Sequence, residues 1–262
     1  MKILVKPTLF IFLGILFLFS CSEEKPAPSV KTNFCESIHR NDSVSLSQEL
    51  EEVAELMTTK TGVYVLEDGS GSMVARAWLS EYAEQTIDIQ YFIFSFDNVG
   101  LIACDYLIRA ADRGVKIRII VDDLMVDAEL DDILIFNSHE NIEVKIYNPG
   151  INLGKNIVQK LVNITTDFRS INQRMHNKTF IVDGKVVITG GRNIADEYFD
   201  YDHEYNFRDR DIMLLGKETQ KVSTSFEEFW NSPLSQPVTS ILKEIPANID
   251  AEGFPLGYGK TS

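Results

Sequence analysis

Six residues in one 18-residue stretch carry groups suited to attack on a phosphodiester. They are His176, Lys178, Asp183, Gly190, Gly191 and Asn193, spaced H-x-K-x4-D-x6-G-G-x-N. An imidazole can bond to phosphorus and form a phospho-histidine, which divides one difficult displacement into two easier ones. Lysine is a compact cation suited to phosphate oxygens, and Asn193 adds a neutral donor. Gly190-Gly191 lets the backbone turn sharply and approach a ligand closely. A site whose own donors neutralise the phosphate needs no metal. No Cys/His cluster in the chain has metal-ligand spacing, so neither metal nor cofactor is expected. A lone H-x-K would more simply be a structural pair on a hairpin; the spaced Asp, Gly-Gly and Asn argue for the phosphate site.

These groups need elements to hold them. Thr179 to Val182 and Lys185 to Thr189 are two runs of β-formers joined by Asp183-Gly184, a strong hairpin signal. On a strand, residues two apart share a face, so His176 and Lys178 point the same way. Upstream, apolar spacing predicts a helix over Ser45 to Thr58 and a loop at Gly69 to Gly71. A second helix, capped by Ser72, runs to about Gln85. Strands are expected over Ile87 to Phe94, Val115 to Val121, Ile142 to Tyr147 and Asp211 to Leu215. Helices are expected over Val99 to Arg113, Asp127 to Phe136 and Lys217 to Trp230, with a long connection from Gly150 to Asn172. Alternating strands and helices imply an α/β fold with a mixed, largely parallel sheet flanked by helices. Ligands of such sheets sit beyond the carboxyl ends of the strands, where the Gly190 loop falls.

The stretch resembles the HKD motif of the phospholipase D superfamily, and its context is most similar to the bacterial cardiolipin-synthase-like branch. The similar blocks are IDIQYFIF, LIRAADRGVKIRIIVDDL, NIEVKIYNP, RMHNKTFIVDGKVVITGGRNIADEYF, and FRDRDIMLLG with FEEFWNS, spread over roughly residues 60 to 232. The resemblance implies that His176 is the nucleophile, that Lys178, Gly191 and Asn193 hold phosphate, and that Asp183 supports them. It also implies an acid near the motif histidine, for which Asp209 and Asp211 are both candidates. Many members carry Ser where this chain has Gly191.

Sites of this superfamily are built from two such motifs, one histidine attacking and the other protonating the leaving group. None of the other three histidines, His39, His139 and His203, has a lysine two residues later. Three readings follow: a symmetric homodimer, a separately encoded second half, or a non-catalytic half. The expected function is a phosphodiesterase or phosphatidyltransferase acting on membrane phospholipids. The alternative within the superfamily is a homodimeric, metal-independent endonuclease. A net charge of −14 is a poor footprint for nucleic acid, so nucleic acid is not the expected partner.

At the N-terminus, Lys2 and Lys6 precede an apolar run from Thr8 to Phe19, and Leu18-Phe19-Ser20-Cys21 resembles a bacterial lipobox. The run is shorter than a membrane-spanning helix needs. The expected organisation is a lipoprotein signal peptide at 1–20 and a lipidated tether at 21–44. A phospholipase D-like domain at 45–235 and an irregular tail at 236–262 follow. Cys21 would carry the lipid and hold the protein at the bacterial envelope, the outer membrane being favoured by Ser22. Cys104 reads as a buried helix thiol and Cys35 as a linker residue, with no structural disulfide. Asp122-Asp123 reads as a cap or ion pair, Tyr91 and Phe92 as core. The acidic loop of Asp200, Asp202 and Glu204 reads as a rim rather than a calcium site.

Overall fold

The computed structural model describes residues 40–123, 130–149, 174–202 and 204–241. The signal-peptide expectation, the tether up to residue 39 with Cys21 and Cys35, His203 and the 150–172 connection lie outside these residues. So do 124–129, the start of the helix expected from Asp127. Near the tether's end, Arg40 and Asn41 bond to Glu81 and Tyr82 of the domain.

The chain enters through α1 (Leu46–Glu49), where Ser45 and Gln48 form a reciprocal capping box, and α2 (Ala54–Met57). Strands and helices then alternate: β1 (Thr61–Leu66), α3 (Gly69–Tyr82), β2 (Thr86–Tyr91), α4 (Asn98–Asp112), β3 (Lys116–Asp122), α5 (Leu130–Asn137) and β4 (Ile142–Tyr147). The hairpin β5 (Thr179–Val182) and β6 (Val186–Gly190) follows. Then come β7 (Asp211–Gly216), α6 (Thr219–Trp230), β8 (Ser235–Pro237) and α7 (Val238–Ile241).

Among the described residues eight strands form one sheet in the order β1-β7-β6-β5-β2-β3-β4-β8. The α/β class and the mixed, helix-flanked sheet are as expected, but the sheet is not largely parallel. Only β2–β3 and β3–β4 pair parallel; the other five pairings are antiparallel. Parallel neighbours need a crossover of a dozen or more residues, and only α4 and α5 make such crossovers between adjacent strands. The tight turn after Val182 can only join antiparallel strands; there Asp183 and Gly184 both adopt positive φ, 51° and 62°, as a type I′-like turn demands.

One face of the sheet buries Ile87, Ile89, Tyr91, Ile117, Ile119, Phe180 and Ile188 in the main core. The opposite face forms a smaller core from Ile120, Met175, Ile181, Val187, Phe226 and Trp230, the last two from α6. Cys104 is fully buried, and burial pushes its thiol pKa far up, as an inert core thiol requires.

Several elements differ from expectation. The helix expected over Ser45 to Thr58 is broken by a 3-10 turn at Glu51–Val53, and the strand expected to reach Phe94 ends at Tyr91. The second helix starts at Gly69, not Ser72, because the Asp68 carboxylate accepts the Gly71 N–H at 2.6 Å and captures the N-cap. Ser72 instead points inward, where its hydroxyl donates to Asp211 at 2.7 Å. Strand β1 was not expected; its side chains are exposed over most of its length, so it shows no two-sided hydrophobic run. The tail expected to be irregular from 236 begins within β8, which pairs with Lys145–Tyr147, and continues into α7, whose Val238 is buried.

Candidate active site

The sheet's register gathers the motif at one edge. Thr179 lies opposite both Gln90 and Thr189, and Gly190 lies opposite Asp211. The carboxyl ends of β2 and β6 and the amino ends of β5 and β7 therefore meet, and His176 and Lys178 lead into β5 at that edge. The expected placement of the Gly190 loop beyond a carboxyl strand end holds.

His176 is exposed. Its ring sits against Phe92, with centroids 4.8 Å apart at 54°. Lys178 is only 6% exposed. Its ammonium lies 3.5 Å from Nδ1 and 3.4 Å from Nε2 of His176 and donates to the His176 carbonyl at 3.0 Å. It also sits 5.5 Å from the centre of the Phe92 ring, within cation–π range. Among the described residues Lys178 makes no ion pair with a carboxylate. Burial pushes its pKa below the usual lysine value, and the charge of Asp209 opposes that shift. The Thr189 hydroxyl donates to the Lys178 carbonyl at 2.8 Å and fixes the backbone beneath it.

Asn193 is buried, and its Oδ1 accepts the Ile93 N–H at 3.0 Å. Its amide is thereby oriented, and the nearby Asn193 side chain opposes the rise in the Tyr198 pKa that burial causes. Gly190 and Gly191 are required by close approach of the strand they face. A Cβ on Gly190 would strike the Asp211 carboxylate and the Arg210 carbonyl, and one on Gly191 would lie 2.6 Å from Asp209 Oδ1. The Asp209 carboxyl occupies the space that a serine side chain at position 191 would need.

The two candidate acids separate cleanly. Asp211 is fully buried and belongs to the frame: it accepts from Arg76 at 2.9 Å, Ser72 at 2.7 Å and the Arg192 backbone at 3.3 Å. Arg76 also donates to the Tyr91 hydroxyl at 3.0 Å. Arg192 is buried and donates to the carbonyls of Leu66, Glu67 and Tyr198. Asp209 is half-exposed and is the acid whose charge reaches Lys178.

Asp183 is not part of this constellation. Its carboxylate accepts the backbone N–H groups of Glu84, Gln85 and Thr86 at 2.9, 2.7 and 2.9 Å. It lies at the far end of β5, five residues from Lys178, or about 16 Å at ~3.3 Å per residue. Its position makes it a bolt between the hairpin and the entry to β2. Asp122 likewise has the ion-pair role read from the sequence, pairing with Arg174 at 3.1 Å and accepting the Met175 N–H at 2.9 Å. That contact holds the approach to His176 against the end of β3.

Phe92 corrects the core reading, since it is half-buried against the His176 ring. Tyr198 was missed altogether. Neither carries a sequence signal of its own, because an aromatic just after a strand, as Phe92 is, or in a short 3-10 turn, as Tyr198 is, reads equally as core. Among the described residues no group of acids, His and Cys could hold a metal ion.

An exposed histidine beside a buried lysine at the end of a mixed α/β sheet, with an oriented asparagine following the Gly-Gly approach, marks the phospholipase D superfamily. Residues 80–230 match the family model described as "Cardiolipin synthase, PLD-like domain", and the chain belongs to that family. It is 40% identical over 196 residues to cardiolipin synthase C of Escherichia coli (strain K12), covering 74% of this chain and 40% of that protein. It is 41% identical over 175 residues to an uncharacterized protein of Helicobacter pylori, covering 67% of this chain and 34% of that one. The chain thus spans between a third and two fifths of the length of these relatives. Among solved structures it is similar to phosphatidylserine synthase of Haemophilus influenzae, with a TM-score of 0.49 at 13% identity, covering 76% of this chain and 44% of that one.

Proposed function

We propose that this chain supplies one histidine–lysine half of a phosphodiesterase or phosphatidyltransferase acting on membrane phospholipids. One observation carries the reading. A buried ammonium with no carboxylate ion pair among the described residues sits within 3.5 Å of both ring nitrogens of an exposed imidazole. Burying an uncompensated cation is costly, and an anionic ligand beside it offsets that cost. A phosphodiester fits the position, with one non-bridging oxygen at Lys178, another at the Asn193 amide, and phosphorus in front of His176.

In this reading an imidazole nitrogen of His176 forms a bond to phosphorus and the ester oxygen departs. The proton for that oxygen comes from an equivalent histidine outside this motif, either in a second copy or in a second half. An acceptor hydroxyl then displaces His176 and regenerates it; a lipid alcohol gives transfer and water gives hydrolysis. Relatives named as cardiolipin synthases favour transfer. The charge of −14 weighs against nucleic acid as the substrate.

Incubation with phosphatidylglycerol vesicles, followed by lipid mass spectrometry, tests this. Headgroup-exchanged product is expected, and none from His176→Ala. Equal product from that variant, or no adduct at His176 after trapping with a labelled phosphodiester in every assembly the chain forms, overturns it.

The same proposal places the protein at the bacterial envelope through lipid on Cys21. The basic start, the apolar run and the LFSC sequence support it. Mass analysis of the mature N-terminal peptide checks it: a diacylglyceryl group on Cys21 is expected, and an unmodified cysteine in membrane-extracted protein rejects it.

A further inference from the structure

The two edges of the sheet are finished differently. One edge is β8, three residues long and ended by Pro237, a short and proline-bearing finish of the kind that blocks further pairing. The other is β1, six residues with neither proline nor charge (TGVYVL). Among the described residues it pairs only with β7, which leaves the N–H and C=O groups of its outer side without a strand partner there. Val63, Tyr64 and Val65 are 62%, 63% and 43% exposed. An open edge rich in β-formers is a template for another strand.

We infer that β1 is an interface for a second copy of this chain, joined edge to edge and antiparallel about a two-fold axis normal to the sheet. The charge pattern selects this occupant. Exposed Lys60 precedes β1, and exposed Glu67 and Asp68 follow it. Antiparallel pairing of two copies sets Lys60 beside the opposite acidic end twice, whereas parallel pairing sets like against like. Such a two-fold keeps each face of the sheet on its own side, so residues of equal parity oppose each other. Centred on Tyr64, the register puts Val63 against Val65 and Lys60 against Asp68. The two valines and the opposite charges are then cross-strand pairs of the kind that stabilise a sheet. Exposed Val74 on α3, and Tyr64 itself, border an apolar cavity of about 380 Å³ between α1, α3 and the sheet; the second copy's Tyr64 adds to its wall.

The interface is independent of the catalytic reading. Leu66 lies opposite Asp211, so β1 runs toward the His176 edge. An antiparallel partner then carries its own His176 edge to the other end, and the pairing does not complete the site.

Sedimentation velocity of the full chain in mild detergent, over a concentration series, reads the assembly; hydrogen exchange reads the strand. A dimer is expected whose formation slows amide exchange within 61–66. Val63→Lys with Val65→Lys, at exposed positions, is expected to give monomer with an unchanged circular dichroism spectrum. Lys60→Glu is expected to weaken the dimer by about tenfold, since two symmetric surface pairs are reversed at once. Lys60→Glu with Asp68→Lys is expected to restore it, although Asp68 also caps α3 through Gly71. A monomer at every concentration overturns the inference. So does a dimer that neither Lys60→Glu nor the double lysine change weakens.

Discussion

The Lys178 ammonium lies almost equidistant from the two ring nitrogens of His176, 3.4 Å from Nε2 and 3.5 Å from Nδ1. The cation is thus poised over the imidazole, near the position an anion would share with both. Phe92 backs the ring and the cation alike, so neither side chain can swing away toward the sheet.

Function and stability should therefore part company at Lys178. Lys178→Met keeps the buried stem and removes a desolvated charge that has no carboxylate partner among the described residues. Thermal melting is expected to show an unchanged or raised Tm. Phosphodiester turnover is expected to fall by about 10²–10³, as when one preorganised donor to a transition-state oxyanion is lost. A parallel loss of Tm and activity would show the lysine to be structural.

The glycine pair makes a prediction about packing. Gly190→Ala drives a methyl into the Arg210 backbone, which cannot rotate aside. A destabilisation of about 1–3 kcal/mol is expected from overpacking, measured by denaturant unfolding. Gly191→Ser meets only the Asp209 side chain. It is expected to cost less, and Asp209→Gly in the same protein is expected to recover the difference.

Asp211 and Asp209 should behave as opposites. Asp211→Ala leaves the buried Arg76 and Arg192 without their carboxylate and is expected to cost about 3–5 kcal/mol, as for one half of a buried ion pair. Asp209→Asn, at a half-exposed position, is expected to leave the unfolding midpoint nearly unchanged. Because the charge of Asp209 raises the Lys178 pKa, its removal is expected to lower the basic limb of the pH–rate profile.

For Asp183 the expectation is loss of stability without loss of chemistry. Replacing it by Ala orphans three backbone N–H groups and strains a residue at φ 51°. About 1–3 kcal/mol is expected, in line with hydrogen bonds to a charged acceptor. The turnover of the folded fraction, at a temperature where both proteins are native, should match the parent within about twofold, since a contact remote from the reacting groups adds no transition-state binding.

The carboxylates Asp97 and Asp196 join the start of α4 to the turn after the motif. Asp97 caps the helix through Gly100 and accepts the Asp196 N–H at 2.8 Å, while Asp196 accepts the Val99 N–H. Burial, reinforced by the charge of Asp196, raises Asp97 from 3.8 to about 6. A raised carboxyl pKa means that the folded state holds the proton more tightly than the unfolded chain. The associated stability is complete below about pH 4 and is lost as pH rises through about 6. Tm measured across that window should show this decline superimposed on the protein's other titrations. Asp97→Asn, which retains a capping oxygen, should flatten it; a slope unchanged in that variant would assign the effect elsewhere.

Most of the elements that carry the motif were legible because they are local. The β5–β6 hairpin follows from two runs of β-formers around Asp183-Gly184, and the alternation of helices and strands from periodicity alone. Strand β1 escaped because its exposed edge position leaves no buried face to mark it, and β8 because three residues carry no period. The start of α3 was misplaced because Asp68 and Ser72 are both good caps, and only the fold's need for Ser72 against Asp211 separates them.

The sequence by itself determined the chemistry available: one imidazole, one ammonium, one amide and a glycine approach, in an order that fixes the family. It determined nothing about which acid serves that site, because Asp209 and Asp211 differ by two residues on one strand approach. The tertiary structure set the two apart, sending Asp211 inward to two buried arginines and leaving the charge of Asp209 to act on Lys178. It also moved Asp183 from the site to the far end of its strand. A side chain's role depends on what long-range pairing brings against it, and those partners, 31 to 139 residues away in the chain, are set only when the sheet closes its register.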